Sequence, residues 1–257
     1  MTKTHLVFTC AHVQPDVSNR RFKLLGELIY DIRPDVVVDL GDFDDMKSLN
    51  SYDTRKPEAL VAQSYEADIQ AGQEAREMVW RKFKKNKKRL PHRVGFEGNH
   101  EHRIKKVIEA DPRLEGPKYG VSFGHLQTKY WYDEYHEYEN NAPAIADVDG
   151  ISYAHYFSSG NFGSATSGTH HAYRLLQNRN HSSTCGHSHK RSLYFKDGAH
   201  PNGIIGLVAG CFKGAPEGWA GQANNEWWSG VVIKREVSNG VYEPQWISLK
   251  SLEREYG

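Results

Sequence analysis

The chain has 257 residues, enough for one large domain with a substantial core or for two small ones, and the pattern below favours one. Its 33 Lys and Arg against 32 Asp and Glu leave a net charge of +1, so no global field argues for a polyanionic partner and any such argument must be local. Three cysteines, Cys10, Cys185 and Cys211, are odd in number and widely spaced, which argues against a disulfide framework and a zinc finger, whereas the 14 histidines stand out.

In chain order, residues 5 to 10 read as a first strand, entered with no basic, apolar leader before it. Leu24, Leu25, Leu28, Ile29 and Ile32 then recur at helical spacing, with Ser18 or Asn19 as N-cap and Pro34 as the stop. The run Val36-Val37-Val38-Asp39-Leu40 predicts a buried parallel strand, completing a βαβ unit whose two strand ends carry polar residues. A long helix is expected from Pro57 to about Lys88, ending in the basic run 81 to 89. Positive charge there suits a helix C-terminus, or it could contact a phosphate backbone.

Residues 93 to 98 read as a strand that stops at a tight turn. The segment from about 104 to 144 is polar, aromatic and irregular, with Tyr130, Trp131, Tyr132 and Tyr135 close together, and reads equally as a substrate-side insertion or as a loop packed on the core by its aromatic rings. Residues 145 to 157 read as a hairpin turning at Asp149-Gly150, which places His155 near the end of its second strand. A Gly/Ser-rich loop, a helical run over 171 to 176 and a short strand over 182 to 185 lead into Gly186-His187-Ser188-His189. Strands are expected over 206 to 211, 230 to 237 and 241 to 249, the last two joined through Ser238-Asn239-Gly240. The apolar stretch near 204 to 212 is too short to span a bilayer, so a chain of the cytoplasm with no membrane contact is expected.

Five strand ends therefore carry Cys10-x-His12, Gly41-Asp42-x-x-Asp45, Gly98-Asn99-His100-Glu101, His155 and Gly186-His187-x-His189. This order resembles the calcineurin-like metallophosphoesterase superfamily, in particular its small stand-alone bacterial and phage members, over residues 5 to 215. The resemblance implies a metallo-dependent phosphatase fold, a four-layer α/β/β/α sandwich of two mixed β-sheets flanked by helices, as a single domain over 1 to 257. It implies two divalent transition metal ions of Mn, Zn or Fe type. The first would be held by Cys10, His12, Asp42 and His189, the second by Asp42, Asn99, His155 and His187, with Asp42 shared because a carboxylate has two oxygens.

The physical reason for such a set is that a phosphate ester is anionic and repels hydroxide. Two cations about 3.5 to 4 Å apart neutralise its oxygens and hold a deprotonated water in line with the leaving group. The resemblance makes His100 the proton donor to the leaving oxygen and Asp45 the carboxylate that fixes its tautomer. Glu101 is expected as a hydrogen-bonding support to a ligand. Arg103 could pair with Glu101 or contact a phosphate oxygen as a substrate-binding residue. Cys10 departs from the family's aspartate; a thiolate keeps the charge and turns the first site towards Zn or Fe, while a buried, uninvolved thiol would leave that site weakened.

Asp45 is followed by Met46-Lys47 rather than Arg-Gly, which argues against a Ser/Thr protein phosphatase. The basic run and the aromatic segment lead the expectation to phosphodiester hydrolysis on nucleic acid or nucleotide. Phosphomonoester hydrolysis of a small metabolite or nucleotide is the second reading, and a catalytically silent binding protein the third. Trp219, Trp227 and Trp228 are expected mainly as packing residues.

Overall fold

The computed structural model describes residues 2–50, 64–160, 163–198 and 202–257, with the Trp219 side chain left out. Two mixed sheets face each other across a dry core. In the first, β1 (Lys3–Phe8), β2 (Val36–Asp39), β3 (His92–Phe96) and β4 (Glu134–His136) run parallel in that order. Two later strands, β12 (Gly230–Ser238) and β13 (Val241–Ser248), extend it antiparallel on the β1 side. The second sheet has the order β10, β11, β9, β6, β5, built from Arg191–Lys196, Ile204–Ala209, Ser183–Cys185, Ile151–Tyr153 and Ala146–Val148. A two-stranded ribbon, β7 (Ser158–Ser159) with β8 (Ser164–Ala165), lies outside both.

The pleat sorts the side chains. Successive strand residues face opposite ways, so Leu6, Phe8, Val37, Val231 and Ile233 enter a core against the helices. Their neighbours Val7, Val36, Val38 and Val232 meet Ile151, Tyr153, Ile205 and Leu207 between the sheets. On the outer side, α1 (Arg20–Ile32), α2 (Tyr65–Lys85) and the C-terminal α6 (Leu249–Tyr256) cover the first sheet. Helix α5 (His171–Arg179) covers the second through Ala172 and Leu175 against Cys185 and Val208. These are the four layers expected.

Local chemistry explains the boundaries. Helix α1 starts after Asn19, whose side chain makes no cap bond, and ends where Arg33 turns into the left-handed region at φ 49°, before Pro34. Helix α2 is capped by Ser64, which accepts from the Ala67 amide at 3.3 Å; the expected start near Pro57 lies outside the described residues. The two predicted hairpin turns have consecutive positive φ at Asp149 and Gly150 and at Asn239 and Gly240, as two-residue turns require. They also touch each other. A Cβ on Gly150 would lie 2.6 Å from the Gly240 nitrogen, and the Gly240 amide donates to Asp149 O at 3.0 Å.

Three elements differ from the sequence reading. The stretch 104 to 144, expected to be irregular, receives the end of α3 (His102–Ala110) and contributes α4 (Thr128–Trp131) and the edge strand β4. Strand β10 has no counterpart in the sequence reading because it is half polar and half exposed. The predicted last strand stops at Ser248, whose hydroxyl accepts from the Ser251 amide at 3.1 Å and starts α6 instead.

Lys234 is wholly buried between the sheets, its ammonium donating to Thr184 Oγ1 at 2.5 Å and lying 4.5 and 4.3 Å from the Tyr153 and Tyr242 ring centres. Burial pushes its pKa well below the usual lysine value. Between that lowered value and about 10.5 the unfolded chain binds more protons than the folded one, so across this window the residue makes stability rise with pH. Lys234→Met is expected to raise stability at pH 6 by about 1–3 kcal/mol and to flatten that rise. Urea unfolding at pH 6 and pH 9 measures both, and equal destabilisation at the two pH values would contradict this account.

Candidate metal centre

The loops following β1, β2, β3, β6 and β9 gather at one end of the sandwich, where strand ends of open α/β sheets present side chains to a crevice. They are stitched main chain to main chain: Cys10 N donates to Gly41 O at 2.9 Å, His12 N to Asp42 O at 3.0 Å and Gly186 N to His155 O at 2.9 Å. Five of the candidate ligands in these loops hold positive φ, namely Cys10, His12, Asp42, His187 and His189 at 47°, 46°, 54°, 66° and 59°. Non-glycine residues adopt this region only where the surroundings over-determine it, and such strain clusters at functional sites.

Two buried polar side chains do the over-determining. The Glu101 carboxylate accepts from the amides of Asp42, Asp44 and Gly98 at 2.9–3.0 Å, joining the loops after β2 and β3. Gly98 permits this approach, since a Cβ there would lie 2.2 Å from the Asp42 nitrogen. The Arg21 guanidinium acts in the opposite sense, donating to Ala11 O at 3.0 Å, Phe212 O at 3.1 Å and Ser18 O at 2.8 Å. It thus ties the turn between Cys10 and His12 to the segment after β11.

Asp42 lies at the centre. The Leu40 carbonyl, 2.8 Å from His155 Nδ1, can only accept, so Nδ1 carries the proton and Nε2 presents a lone pair. Around that nitrogen stand Asn99 Oδ1 at 3.0 Å, Asp42 Oδ2 at 3.2 Å and His187 Nδ1 at 3.2 Å. On the other side, donor atoms of Cys10, His12 and His189 all lie within 4.8 Å of one another, as do those of Cys10, Asp42 and His155 and those of His12, Asp42 and His100. His12 Nε2 is buried without a hydrogen-bond partner, 3.6 Å from Asp42 Oδ2. Converging acceptors of this kind repel one another, and a divalent cation satisfies them where one proton cannot. The donor set therefore fits metal.

The electrostatics follow. Burial alone would raise the Asp42 carboxyl, but the imidazoles of His155, His100 and His12 around it hold it well below the usual range. Burial and the Asp42 charge push the Cys10 thiol well up. Its sulfur nevertheless lies 3.2 Å from both the His187 amide, which donates to it, and the Thr9 hydroxyl, contacts that favour a thiolate. Burial lowers His187 to about 4, so its imidazole is neutral and able to offer a lone pair.

His100 is set apart from these donors. Its Nδ1 donates to Asp45 Oδ1 at 2.7 Å and Asp45 O at 2.9 Å, and the same Oδ1 lies 3.3 Å from His12 Nδ1. One carboxylate thus turns the Nε2 atoms of both rings away from itself. Arg103 does not pair with Glu101; it donates to Asp45 O at 2.8 Å and its second terminal nitrogen lies 3.3 Å from His100 Nε2. A cleft of about 670 Å³ opens here, lined by His12, Asp42, Asn99, His100, Arg103, His187 and His189 among others.

The sequence reading missed Lys213, Glu217 and Arg21 and undervalued Trp227. Lys213 is buried, paired with Glu217 at 2.6 Å and 3.4 Å from His12 Nδ1. Glu217 and Trp227 line the cleft, Trp227 with its ring edge-on to His189 at 4.5 Å, while the Trp219 side chain lies outside the described residues. Arg21 alone left a readable signal: it shares the helical face of Leu24, Leu25 and Leu28, where a charge needs a reason.

No family model and no curated protein sequence matches the chain. Among solved structures it is similar to a predicted phosphoesterase from Streptococcus pneumoniae, at 10% identity and TM-score 0.40 over 97% of this chain and 91% of that one. An archaeal phosphodiesterase is similar at 10% identity and TM-score 0.42, over 95% and 99%. So is a purple acid phosphatase from yellow lupin seeds, at 14% and 0.42, where 97% of this chain spans about half, 52%, of the other. Likeness at these identities and TM-scores carries no inference about activity.

Arg21→Met is expected to free the Cys10–His12 turn while leaving the donors around His155 in place. Dialysed against excess Zn(II) and analysed by metal content and calorimetry, the variant should lose one of two bound equivalents, with affinity down about tenfold or more, the scale seen when support of a ligand is removed. Unchanged binding at both sites would show that the strained turn holds itself.

Proposed function

We propose that the chain is a calcineurin-like metallophosphoesterase, a single domain that hydrolyses phosphodiesters at a dinuclear centre. The observation that carries this reading is the convergence of lone pairs from Asn99, Asp42 and His187 on His155 Nε2, beside the Cys10, His12 and His189 group. In the proposal Cys10, His12, Asp42 and His189 hold one cation, Asp42, Asn99, His155 and His187 the other, and Asp42 serves both. Thiolate ligation by Cys10 directs the first position to Zn or Fe, whereas the nitrogen and oxygen donors of the second also accept Mn.

When bound, the cations supply Lewis-acid neutralisation of the phosphate oxygens and a nucleophile at neutral pH. The chain's own residues do the rest. Asp45, ionised and hydrogen-bonded to His100 Nδ1, orients that ring with Nε2 towards the cleft and stabilises its protonated form. His100 delivers the proton to the departing oxygen. Arg103, already beside His100 Nε2, grips a non-bridging phosphate oxygen with the terminal nitrogen it does not give to Asp45 O. The preference for a diester rests on charge: Asp45 and Glu217 face the same cleft as Lys47 and Arg103, so the wall suits a phosphate with one negative charge better than one with two. The three cysteines are unpaired, which fits the reducing cytoplasm. Among the described residues no helix is long and apolar enough to cross a membrane.

The test is hydrolysis of bis-p-nitrophenyl phosphate, p-nitrophenyl phosphate and a methyl-leaving diester after loading with Mn, Zn or Fe. Faster turnover of the diester is expected, and faster turnover of the monoester would replace this reading with a phosphomonoesterase. His100→Ala should lower kcat on the methyl-leaving diester by about 10²–10⁴ and on the nitrophenyl ester far less, because nitrophenolate leaves without a proton. Full activity of this variant on the poor leaving group would remove the proton-donor role. No turnover of any ester by loaded protein would make the chain a silent binding protein.

A further inference from the structure

The basic run and the aromatic segment lie apart from the cleft, and their arrangement has its own logic. Helix α2 begins beside the centre, where Asp68 accepts from the Ser48 amide at 2.9 Å just after the Asp45 turn, and then runs for 21 residues. At 1.5 Å per residue this carries its C-terminus about 30 Å away. The end of the run, at Arg89, meets Arg33 and His92 at the entry of β2 and β3, the opposite end of the sheet from the metal-ligand loops.

The charge there exceeds what the helix uses. Residues 81 to 89 hold seven Lys or Arg, and no Asp or Glu occurs from 81 to 92. A helix C-terminus favours cations only within its last turn. Of the residues in that turn, Lys82 is paired with Glu27, and Lys84 with Glu77 at 2.5 Å. Lys85, Lys87, Lys88 and Arg89 are all exposed and pair with no carboxylate among the described residues, and three of them follow the helix rather than end it. Arg33 joins them from α1. Its left-handed backbone lays the guanidinium 3.9 Å over the Tyr30 ring and 5.2 Å from that of Phe83, and with Arg89 and His92 it lines a hollow of about 280 Å³.

An exposed aromatic ring meets the basic run at Lys84. Of the clustered residues Tyr130, Trp131, Tyr132 and Tyr135, Trp131 is buried, and Tyr132 gives its hydroxyl to Asp39 at 2.5 Å. Tyr130 is 59% exposed and stands against the basic run, its hydroxyl accepting from Lys84 at 3.1 Å. Spaced cations beside an exposed ring match a chain of phosphodiesters with unpaired bases, the former tracking the backbone and the latter stacking. A lipid surface would ask for apolar side chains at the patch edge, and the exposed Leu114, Ile145 and Phe195 belong to other segments.

We propose that Arg33, Lys85, Lys87, Lys88, Arg89 and Tyr130 form a docking site for single-stranded nucleic acid, about 30 Å from the metal-ligand loops. The site does not rest on the hydrolytic reading, because a chain without catalytic activity would still bind.

The test is fluorescence anisotropy of a labelled twenty-nucleotide oligo-dT at 50 to 200 mM salt. Lys85→Glu/Lys88→Glu/Arg89→Glu is expected to weaken binding at least tenfold and to lower the slope of log K against log salt by about 2, at roughly 0.7 for each phosphate no longer neutralised. Tyr130→Ala should cost about fivefold or more with the slope unchanged. The neutral Lys85→Gln/Lys88→Gln/Arg89→Gln variant should fall between, and bis-p-nitrophenyl phosphate hydrolysis and thermal melting of each variant should match the parent. Oligonucleotide binding unaffected by the charge reversal would overturn the site. So would binding to phosphatidylserine vesicles but not to oligo-dT, whereas loss of hydrolysis in the parent with binding intact would leave the site standing and sink only the catalytic proposal.

Discussion

Mutual repulsion among buried acceptors is the constraint on which the rest of this structure depends. Asp42, Asn99, His155 and His187 aim lone pairs at one small volume, and Cys10, His12 and His189 do so next to it. Such an arrangement opposes folding unless something holds the loops together. Much of the surrounding architecture does that holding. The parallel strands bring five chain segments to one edge, main-chain bonds lace Cys10 to Gly41 and His12 to Asp42, and the buried side chains of Glu101 and Arg21 grip the turns by amides on one side and carbonyls on the other. The positive φ values of five of these residues measure how far the backbone has been bent to aim them.

Asp45 shows how economical the support is. A single carboxylate oxygen lies within 3.3 Å of the Nδ1 atoms of both His12 and His100, so one group faces a ring of the candidate metal set and orients the ring that faces the cleft. Lys213 and Glu217 add a buried ion pair behind His12, from a segment that no motif marks.

What the sequence disclosed was what depends on local pattern. Apolar runs ending in glycine and polar residues read correctly as parallel strands with their exits at one edge, and both Asp149-Gly150 and Asn239-Gly240 announced hairpin turns. What depends on distance was closed to it. Composition places lysines near one another along the chain but cannot say that a 21-residue helix carries them away from the cleft. It cannot tell that, of neighbouring tyrosines, Tyr132 serves Asp39 while Tyr130 faces solvent. Buried charges such as Lys234 leave no local signal, and β10 and α6 were missed because a half-exposed edge strand and a short capped helix carry too few apolar positions to show a period.

The two ends of the molecule thus divide their chemistry, acceptors gathered at one and unpaired cations spread at the other. The central claim concerns the first. Electron paramagnetic resonance of the protein with two equivalents of Mn(II) tests it most directly: two ions joined through the Asp42 carboxylate should give an exchange-coupled multiline spectrum. The six-line signal of isolated Mn(II) from protein that has taken up both equivalents would contradict a shared dinuclear centre.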